Sequence, residues 1–158
     1  MATTYTASTA QSGVQPKYDA TGVQSVHVAY AAAAHTLSDE IFLCKIPNGA
    51  LITQVKGYIG TSNTDSVIKL GWKRASDGLG QGASETAFGT WTASATTVNT
   101  EVDLATKFIA AVAISFTDTI GSDYAMVYVT NSSGSFTDTF SIDLTFTYNM
   151  DHKEGYGS

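Results

Sequence analysis

The sequence is poor in several residue types, and each scarcity excludes a class of protein. It contains a single cysteine, Cys44, so no internal disulfide can form and a disulfide-stapled scaffold is excluded. Charged residues amount to only 14%, against roughly 25% in an average soluble domain. No apolar run is longer than Val28 to Ala34, which falls far short of the roughly 20 residues that cross a bilayer as a helix. The pattern therefore excludes a helical membrane span.

The charge that is present has one dominant sign. Fourteen acidic residues outnumber eight basic ones, which gives a net charge of −6. Nucleic-acid binding needs clustered lysine and arginine to neutralise phosphates, and the densest basic stretch here, Lys69, Lys73 and Arg74, is flanked by acidic residues. The same argument disfavours an anionic membrane surface. We expect neither a nucleic-acid partner nor a membrane partner.

Small and β-branched polar residues are abundant instead. The 158 residues include 23 threonines and 16 serines, and 43% of the chain is hydrophobic. This length suits one domain, and this hydrophobic share is too high for a disordered chain. The opening MATTYTASTAQSG has neither the basic nor the apolar part of a secretory leader. We expect a chain that is made and kept in a cytoplasm, unless it leaves within a larger particle.

Alternation of apolar and polar residues predicts β-strands along most of the chain. The clearest segment is 139–149, where Phe140 and every second residue after it are apolar and the intervening residues are polar. Further strands are predicted at 24–30, 39–46, 51–59, 66–73, 88–92, 98–104, 107–116 and 124–130. No segment forms a convincing amphipathic helix. The pattern predicts an all-β fold, an antiparallel β-sandwich or jelly-roll-like single domain.

Two segments rich in turn residues divide these strands. Pro47-Asn48-Gly49 lies between the segments 39–46 and 51–59 and predicts a hairpin that joins them, because proline fixes φ and Asn-Gly tolerates positive φ. The glycine- and serine-rich stretch 75–87 predicts a flexible loop.

The two ends of the chain differ from its middle. We expect an extended arm at 1–22, the β-sandwich at 23–150 and a flexible tail at 151–158. The arm is polar and shows no strand or helix period, so one interpretation is a disordered terminus. The other interpretation is an arm that docks on a neighbouring subunit or a capsid, with four residues as its anchor points: Val14, Pro16, Lys17 and Tyr18.

No catalytic motif is recognisable in the sequence. None of the three histidines lies in a nucleophile motif, and Gly-x-Ser-x-Gly is absent. His27 occupies the polar face of its predicted strand and is interpreted as a solvated histidine. Cys44 lies in an apolar run and is interpreted as a core thiol. We therefore expect no enzyme.

Metal and phosphate motifs are also missing from the sequence. It contains neither a His-x-x-x-His nor a Cys-x-x-Cys pair. The glycine-rich segment 77–82 lacks the alternating carboxylates of a calcium loop and the Gly-Lys-Ser/Thr of a phosphate loop. We expect no metal and no cofactor.

Exposed aromatic residues are the remaining candidates for a binding surface. Trp72 shares the parity of Ile68 and Leu70, so it is predicted to pack in the core. Trp91 follows the glycine-rich stretch and has the parity opposite to Phe88. Trp91 is therefore the candidate for a surface aromatic contact.

Three stretches of the sequence resemble small structural proteins of tailed-bacteriophage heads. These are the Met-Ala-Thr-Thr start, the arm segment Gly13–Tyr18 and the segment Phe42–Ile52. The proteins concerned are decoration, or cement, proteins of the capsid exterior. The resemblance implies a β-sandwich or jelly roll with a binding role, located on the outside of a virion that is assembled in the host cytoplasm. The implied partner is the major capsid protein. Because capsids offer local threefold positions, the implied homo-oligomer is a trimer.

Two other functions are also compatible with the sequence. The chain could be another virion component, such as a tail or head fibre, since composition does not separate these from head proteins. It could also be a carbohydrate-binding β-sandwich module, in which Trp91 would stack on a sugar ring.

Overall fold

The computed structural model describes a fold made of β-strands. The described residues are 4–6, 24–31, 39–60, 67–78, 83–92, 100–103, 112–117, 123–131 and 141–150. Ten strands lie within them: β1 Thr4–Thr6, β2 Gln24–Ala31, β3 Glu40–Pro47, β4 Ala50–Gly60, β5 Val67–Arg74, β6 Ser84–Thr92, β7 Thr100–Asp103, β8 Val112–Ala113, β9 Tyr124–Asn131 and β10 Ser141–Met150. The prediction of an all-β fold is confirmed.

The strands form two sheets that pack as a β-sandwich. The first sheet has the order β1-β3-β9-β5-β6, and the second has the order β2-β10-β4-β7 with β8 also paired to β4. All pairings are antiparallel except that of β1 with β3. Strands β2 to β5 alternate between the sheets, so consecutive strands in this part of the chain lie in opposite layers.

The pairing between strands is nested. Strand β5 pairs with β6, β4 with β7, β3 with β9 and β2 with β10. The innermost pair is close in sequence, whereas the outermost pair joins Gln24 to Tyr148. Two of the later strands, β9 and β10, lie in the middle of their sheets.

The predicted hairpin between 39–46 and 51–59 is wrong. Strand β3 belongs to the first sheet and β4 to the second, so the turn at Asn48 and Gly49 carries the chain from one layer to the other. Gly49 has a φ of 87°, which is the conformation the Asn-Gly signal predicted. A turn motif determines where the chain changes direction. Which sheet β3 and β4 each join depends on where the apolar face of each strand is buried.

The backbone groups of this turn bond to residues 112–117, and not across a β3–β4 hairpin. The Gly49 amide donates to the Ile114 carbonyl oxygen at 2.9 Å, and the Ile114 amide donates to the Ala50 carbonyl oxygen at 2.8 Å. Next to these bonds, Leu51 pairs with Ala113 in the β4–β8 ladder. The backbone groups of the turn thus find partners far along the chain.

The core lies between the two sheets and follows the predicted alternation. In β10, Ile142, Leu144, Phe146 and Tyr148 are buried, whereas Asp143 is exposed. The largest fully buried side chains from the other strands are Trp72, Phe88, Ile41, Leu43, Ile46, Ile52 and Ile68. The predicted core position of Trp72 is confirmed.

The predicted flexible loop at 75–87 is shorter than expected. Residues Ser84–Ala87 belong to β6, which continues to Thr92. Phe88 is fully buried and contacts Phe146 edge-on, with ring centroids 6.0 Å apart. Burial of Phe88 fixes β6 against the core, and the strand includes Ser84–Ala87, although these residues have low β-propensity.

Candidate functional site

The predicted arm contacts are not among the residues that the structure describes. Val14, Pro16, Lys17 and Tyr18 lie outside the described ranges. The part of the arm that is described, Thr4–Thr6, forms β1 and runs parallel to the start of β3.

The predicted surface aromatic, Trp91, is described only through its backbone. It lies in β6 opposite Ile68 of β5. Its side chain falls outside the described part of the structure.

Cys44 is a core thiol, as predicted. Its side chain is fully buried in β3, and this burial raises the pKa of the thiol far above its ordinary value. A thiol held in its protonated form is a poor nucleophile and a poor metal ligand. Within the described residues, no group of three or more His, Cys, Asp or Glu side chains could hold a metal ion.

His27 lies on the wet face of the second sheet, as predicted, but it has a partner that sequence reasoning missed. Its Nε2 atom lies 2.8 Å from Oδ1 of Asp143. Both side chains are more than half exposed, at 57% and 65%. The alternation of β2 and β10 places each residue on a polar face, but no sequence signal pairs two strands that are 116 residues apart.

We use the name β10 face for the outer surface of the second sheet around Asp143. Two neighbours of Asp143 complete it: Tyr58 lies directly opposite on β4, and Lys56 lies opposite Thr145. Tyr58 is 52% exposed and is the large hydrophobic side chain most open to solvent among the described residues. Sequence reasoning missed Tyr58, although its parity relative to the buried Val55 would have placed it outside.

The outer surface of the first sheet carries two pairs of acidic and basic side chains. Nζ of Lys73 donates to Oε2 of Glu40 at 2.6 Å, and Lys69 pairs with Glu85. The Lys73 ammonium also lies 4.8 Å from the centre of the Tyr128 ring. Burial, followed by the charges of Glu40 and Glu85, raises the pKa of Tyr128 to about 12. Lys69 and Lys73 are therefore both engaged by neighbouring side chains of the same sheet.

A third polar cluster joins the ends of β5 and β9. Arg74 pairs with Asp77 through its guanidinium and donates from Nη1 to the Thr117 carbonyl oxygen at 2.7 Å. Asp123 lies next to it, accepts from Ser76 at 2.5 Å, and has a side chain that is only 5% exposed. The cluster fixes the end of the sandwich, so its groups are engaged in structure.

No helix in the described part of the chain is a candidate for a membrane span. Comparison of this chain with protein-family models, with curated proteins and with solved structures finds no match. Among the described residues, Tyr58 is the large hydrophobic side chain that is exposed, so the β10 face that carries it is the candidate contact surface.

Proposed function

We propose that this chain is a structural virion protein that decorates the outer surface of a phage head and stabilises it. One observation carries the proposal: on the β10 face the Tyr58 side chain is 52% exposed, directly opposite Asp143 of β10. Tyrosine is enriched in protein–protein interfaces, where its ring supplies apolar contact area and its hydroxyl group can form a hydrogen bond. Small substrates bind in concave sites, whereas Tyr58 lies on the outer side of a sheet.

The fold is compatible with this role. We infer from the nested strand pairing that the sandwich is a jelly roll, an architecture that viral capsid proteins and lectins use. A fold alone does not determine a function. The resemblance of the arm and of Phe42–Ile52 to decoration proteins supports the same role.

The mechanism of such a protein is stabilisation by mass action. A protein that binds only the assembled shell makes disassembly costlier by the free energy of that binding. The β10 face would supply one contact to the major capsid protein. The arm, with Val14, Pro16, Lys17 and Tyr18, would supply a second contact, and a homo-oligomer would multiply both.

Co-assembly tests the proposal directly. The chain is co-expressed with the major capsid protein of its genome, and heads are separated by gradient sedimentation. We expect the chain to sediment with the heads and the Tyr58→Ala variant to bind them more weakly. Joint replacement of Val14, Pro16, Lys17 and Tyr18 by alanine should also weaken binding, and it keeps β1, which belongs to the first sheet. Thr86→Ala is the control, because Thr86 is exposed on β6 in the other sheet. A wild-type chain that stays at the top of the gradient contradicts the proposal.

The site of attachment separates a head protein from a tail or head-fibre component. Electron microscopy of particles labelled through this chain places the label over the whole head surface for a decoration protein. Label confined to the tail or to a few fibres would support the alternative virion role.

A carbohydrate-binding module is a second candidate, favoured by the surroundings of Tyr58. An exposed tyrosine ring can stack on a sugar, and the neighbouring Asp143 and Lys56 could bond its hydroxyl groups. A glycan array distinguishes this function: binding that is lost in Tyr58→Ala or Trp91→Ala supports it, and silence across a broad array counts against it.

A further inference from the structure

The turn between β3 and β4 contains the only Asn-Gly pair in the sequence, Asn48-Gly49. In such a pair the main-chain nitrogen of the glycine, after losing its proton, can attack the Cγ atom of the asparagine. A new N–C bond closes a cyclic imide, and the side-chain nitrogen leaves as ammonia. Water then opens the imide to give aspartate or its β-linked isomer, so a water molecule is consumed and no oxidant is required. Glycine has no Cβ atom to hinder this attack.

In the folded chain, hydrogen bonds hold each group that takes part in this reaction. The Gly49 nitrogen donates its proton to the Ile114 carbonyl oxygen at 2.9 Å. Nδ2 of Asn48 donates to the Phe116 carbonyl oxygen at 2.7 Å, and Oδ1 accepts from the Phe116 amide at 3.1 Å. We call this arrangement of Asn48 and Gly49 with residues 112–117 the β3–β4 corner.

The reaction is incompatible with these bonds. The Gly49 nitrogen must give up the proton that it donates to Ile114. The attack also makes the Cγ atom of Asn48 tetrahedral, so Oδ1 and Nδ2 leave the plane in which they both bond to Phe116. The β3–β4 corner must therefore open before the asparagine reacts. Opening needs only a short segment to detach, since β8 comprises Val112–Ala113, but Ile114 and Phe116 are buried and oppose it.

We propose that Asn48-Gly49 is a deamidation site that the closed β3–β4 corner keeps inactive, and that its product prevents the corner from closing again. An aspartate at position 48 has no N–H group to donate to the Phe116 carbonyl oxygen, and its carboxylate repels that oxygen. The β-linked isomer adds a methylene group to the main chain, which displaces Gly49 from Ile114. Deamidation thus makes a transient opening permanent. The inference does not depend on capsid binding, because the reaction requires only water.

Peptide mass spectrometry measures the reaction as loss of the Asn48 side-chain amide. Folded wild-type protein and the same chain unfolded in guanidinium chloride are incubated at one mildly alkaline pH. The folded chain should react at least about tenfold more slowly. In the unfolded state, Gly49→Ala should react more slowly than the wild type, because a Cβ atom hinders the attacking nitrogen. Equal rates in either comparison would overturn the inference.

Two substitutions at Phe116 make the test specific to the β3–β4 corner. Phe116→Pro removes the amide that donates to Asn48, and Phe116→Ala is its matched control, because it loses the same ring but keeps the amide. Both variants lose the contact with Trp72, whose ring centroid lies 6.3 Å from that of Phe116. In the folded state the proline variant should react about threefold faster than the alanine variant, or more. Equal rates in the two folded variants would contradict the role of the corner.

Asn48→Asp tests the effect of the product without altering Phe116. The Gly49 and Ile114 amides, which both donate within the corner of the wild type, should exchange with deuterium at least about tenfold faster in this variant. Asn149→Asp is the control, because it makes the same charge change at an exposed position of β10. This measurement also decides the case in which Phe116→Pro does not fold. Unchanged exchange in Asn48→Asp would overturn the proposal that the product keeps the corner open.

Discussion

The side chain of Asn48 and the backbone of Phe116 are joined by two reciprocal hydrogen bonds. The Asn48 Nδ2 atom donates to the Phe116 carbonyl oxygen at 2.7 Å, and the Phe116 amide donates to Oδ1 of Asn48 at 3.1 Å. An asparagine side chain carries the same donor and acceptor as a peptide group. Asn48 therefore continues the pairing of residues 112–117 past the point where the β3–β4 turn interrupts the backbone.

Replacing Asn48 tests the importance of this corner. We expect Asn48→Ala to lower the free energy of unfolding by about 1–3 kcal/mol, because it leaves the amide and the carbonyl of Phe116 without their partner. Urea unfolding measures this change. Asn149→Ala is the matched control, since Asn149 is exposed on β10. Equal stabilities of the two variants would show that the reciprocal bonds contribute nothing.

The close approach of β4 and β10 at Gly57 gives a second prediction. Gly57 has a φ of 145°, and a Cβ atom there would overlap the Asp143 carbonyl oxygen and lie 2.9 Å from the Leu144 Cα atom. Gly57→Ala should therefore destabilise the fold by more than about 3 kcal/mol, or prevent folding, because backbone must move.

Gly78 provides the comparison for Gly57. It also has a positive φ, of 75°, but a Cβ atom there would meet no atom within 4 Å. Gly78→Ala should cost only the conformational strain, about 1–2 kcal/mol. The difference between the melting temperatures of the two variants measures the effect of the steric overlap at Gly57 beyond that of backbone strain. A Gly57→Ala variant as stable as Gly78→Ala would contradict the close approach.

The buried thiol of Cys44 and the buried phenol groups of two tyrosines predict a loss of stability at alkaline pH. Burial raises the pKa of Cys44, so the unfolded chain releases this proton first, near its ordinary pKa of about 8.5, and the folded state is disfavoured as the pH rises further. The loss is up to about 1.4 kcal/mol per pH unit for one group. Tyr128 and Tyr148, whose pKa values burial raises to about 12, add to the slope above about pH 10.

The variant Cys44→Ala isolates the thiol from the tyrosines. Its unfolding free energy should stay flat between about pH 8.5 and 10, whereas that of the wild type falls, and both should fall above that range. The comparison uses only the slope of the unfolding free energy against pH, so a constant loss of stability caused by the substitution does not affect it. Parallel curves for the two proteins would exclude Cys44 as the cause.

The exposed pair of His27 and Asp143 should matter little for stability. Surface ion pairs typically contribute between 0 and about 1 kcal/mol, and both of these side chains are more than half exposed. His27→Ala and Asp143→Ala should each change the unfolding free energy by about 0.5 kcal/mol or less. Thermal unfolding checks this, and a large loss in either variant would mean that the β10 face is itself part of the structural framework.

The strands were predictable where one face is buried and the other wet. Strand β10 matches its predicted alternation from Ile142 to Asn149, because burial of Ile142, Leu144 and Phe146 imposes a period of two. The correct place of Trp72 in the core follows from the same rule. Local periodicity thus determined which residues face inward.

Strand partners were not predictable, because pairing depends on residues far apart in the chain. The turn at Gly49 predicted a hairpin, but β3 and β4 bury their faces in different sheets. The contact of His27 with Asp143 arises only because β2 lies next to β10. The exposure of Tyr58 follows from parity within β4, but its position opposite Asp143 depends on the pairing of β4 with β10, so the β10 face is recognisable only in three dimensions.

The nested pairing has a consequence for the order in which the chain can fold during synthesis. Strand β10 is the last described strand to leave the ribosome, yet it lies between β2 and β4 at the middle of the second sheet. Until it emerges, Val28 and Val55 have no Leu144 or Phe146 to pack against in that sheet. The β5–β6 pair can form early, but the second sheet is incomplete until β10 has been made. Because its pairings join residues far apart in the sequence, the contact order is high and folding is expected to be slow. Partly made chains would expose two unpaired strand edges, which makes nascent chains prone to aggregation.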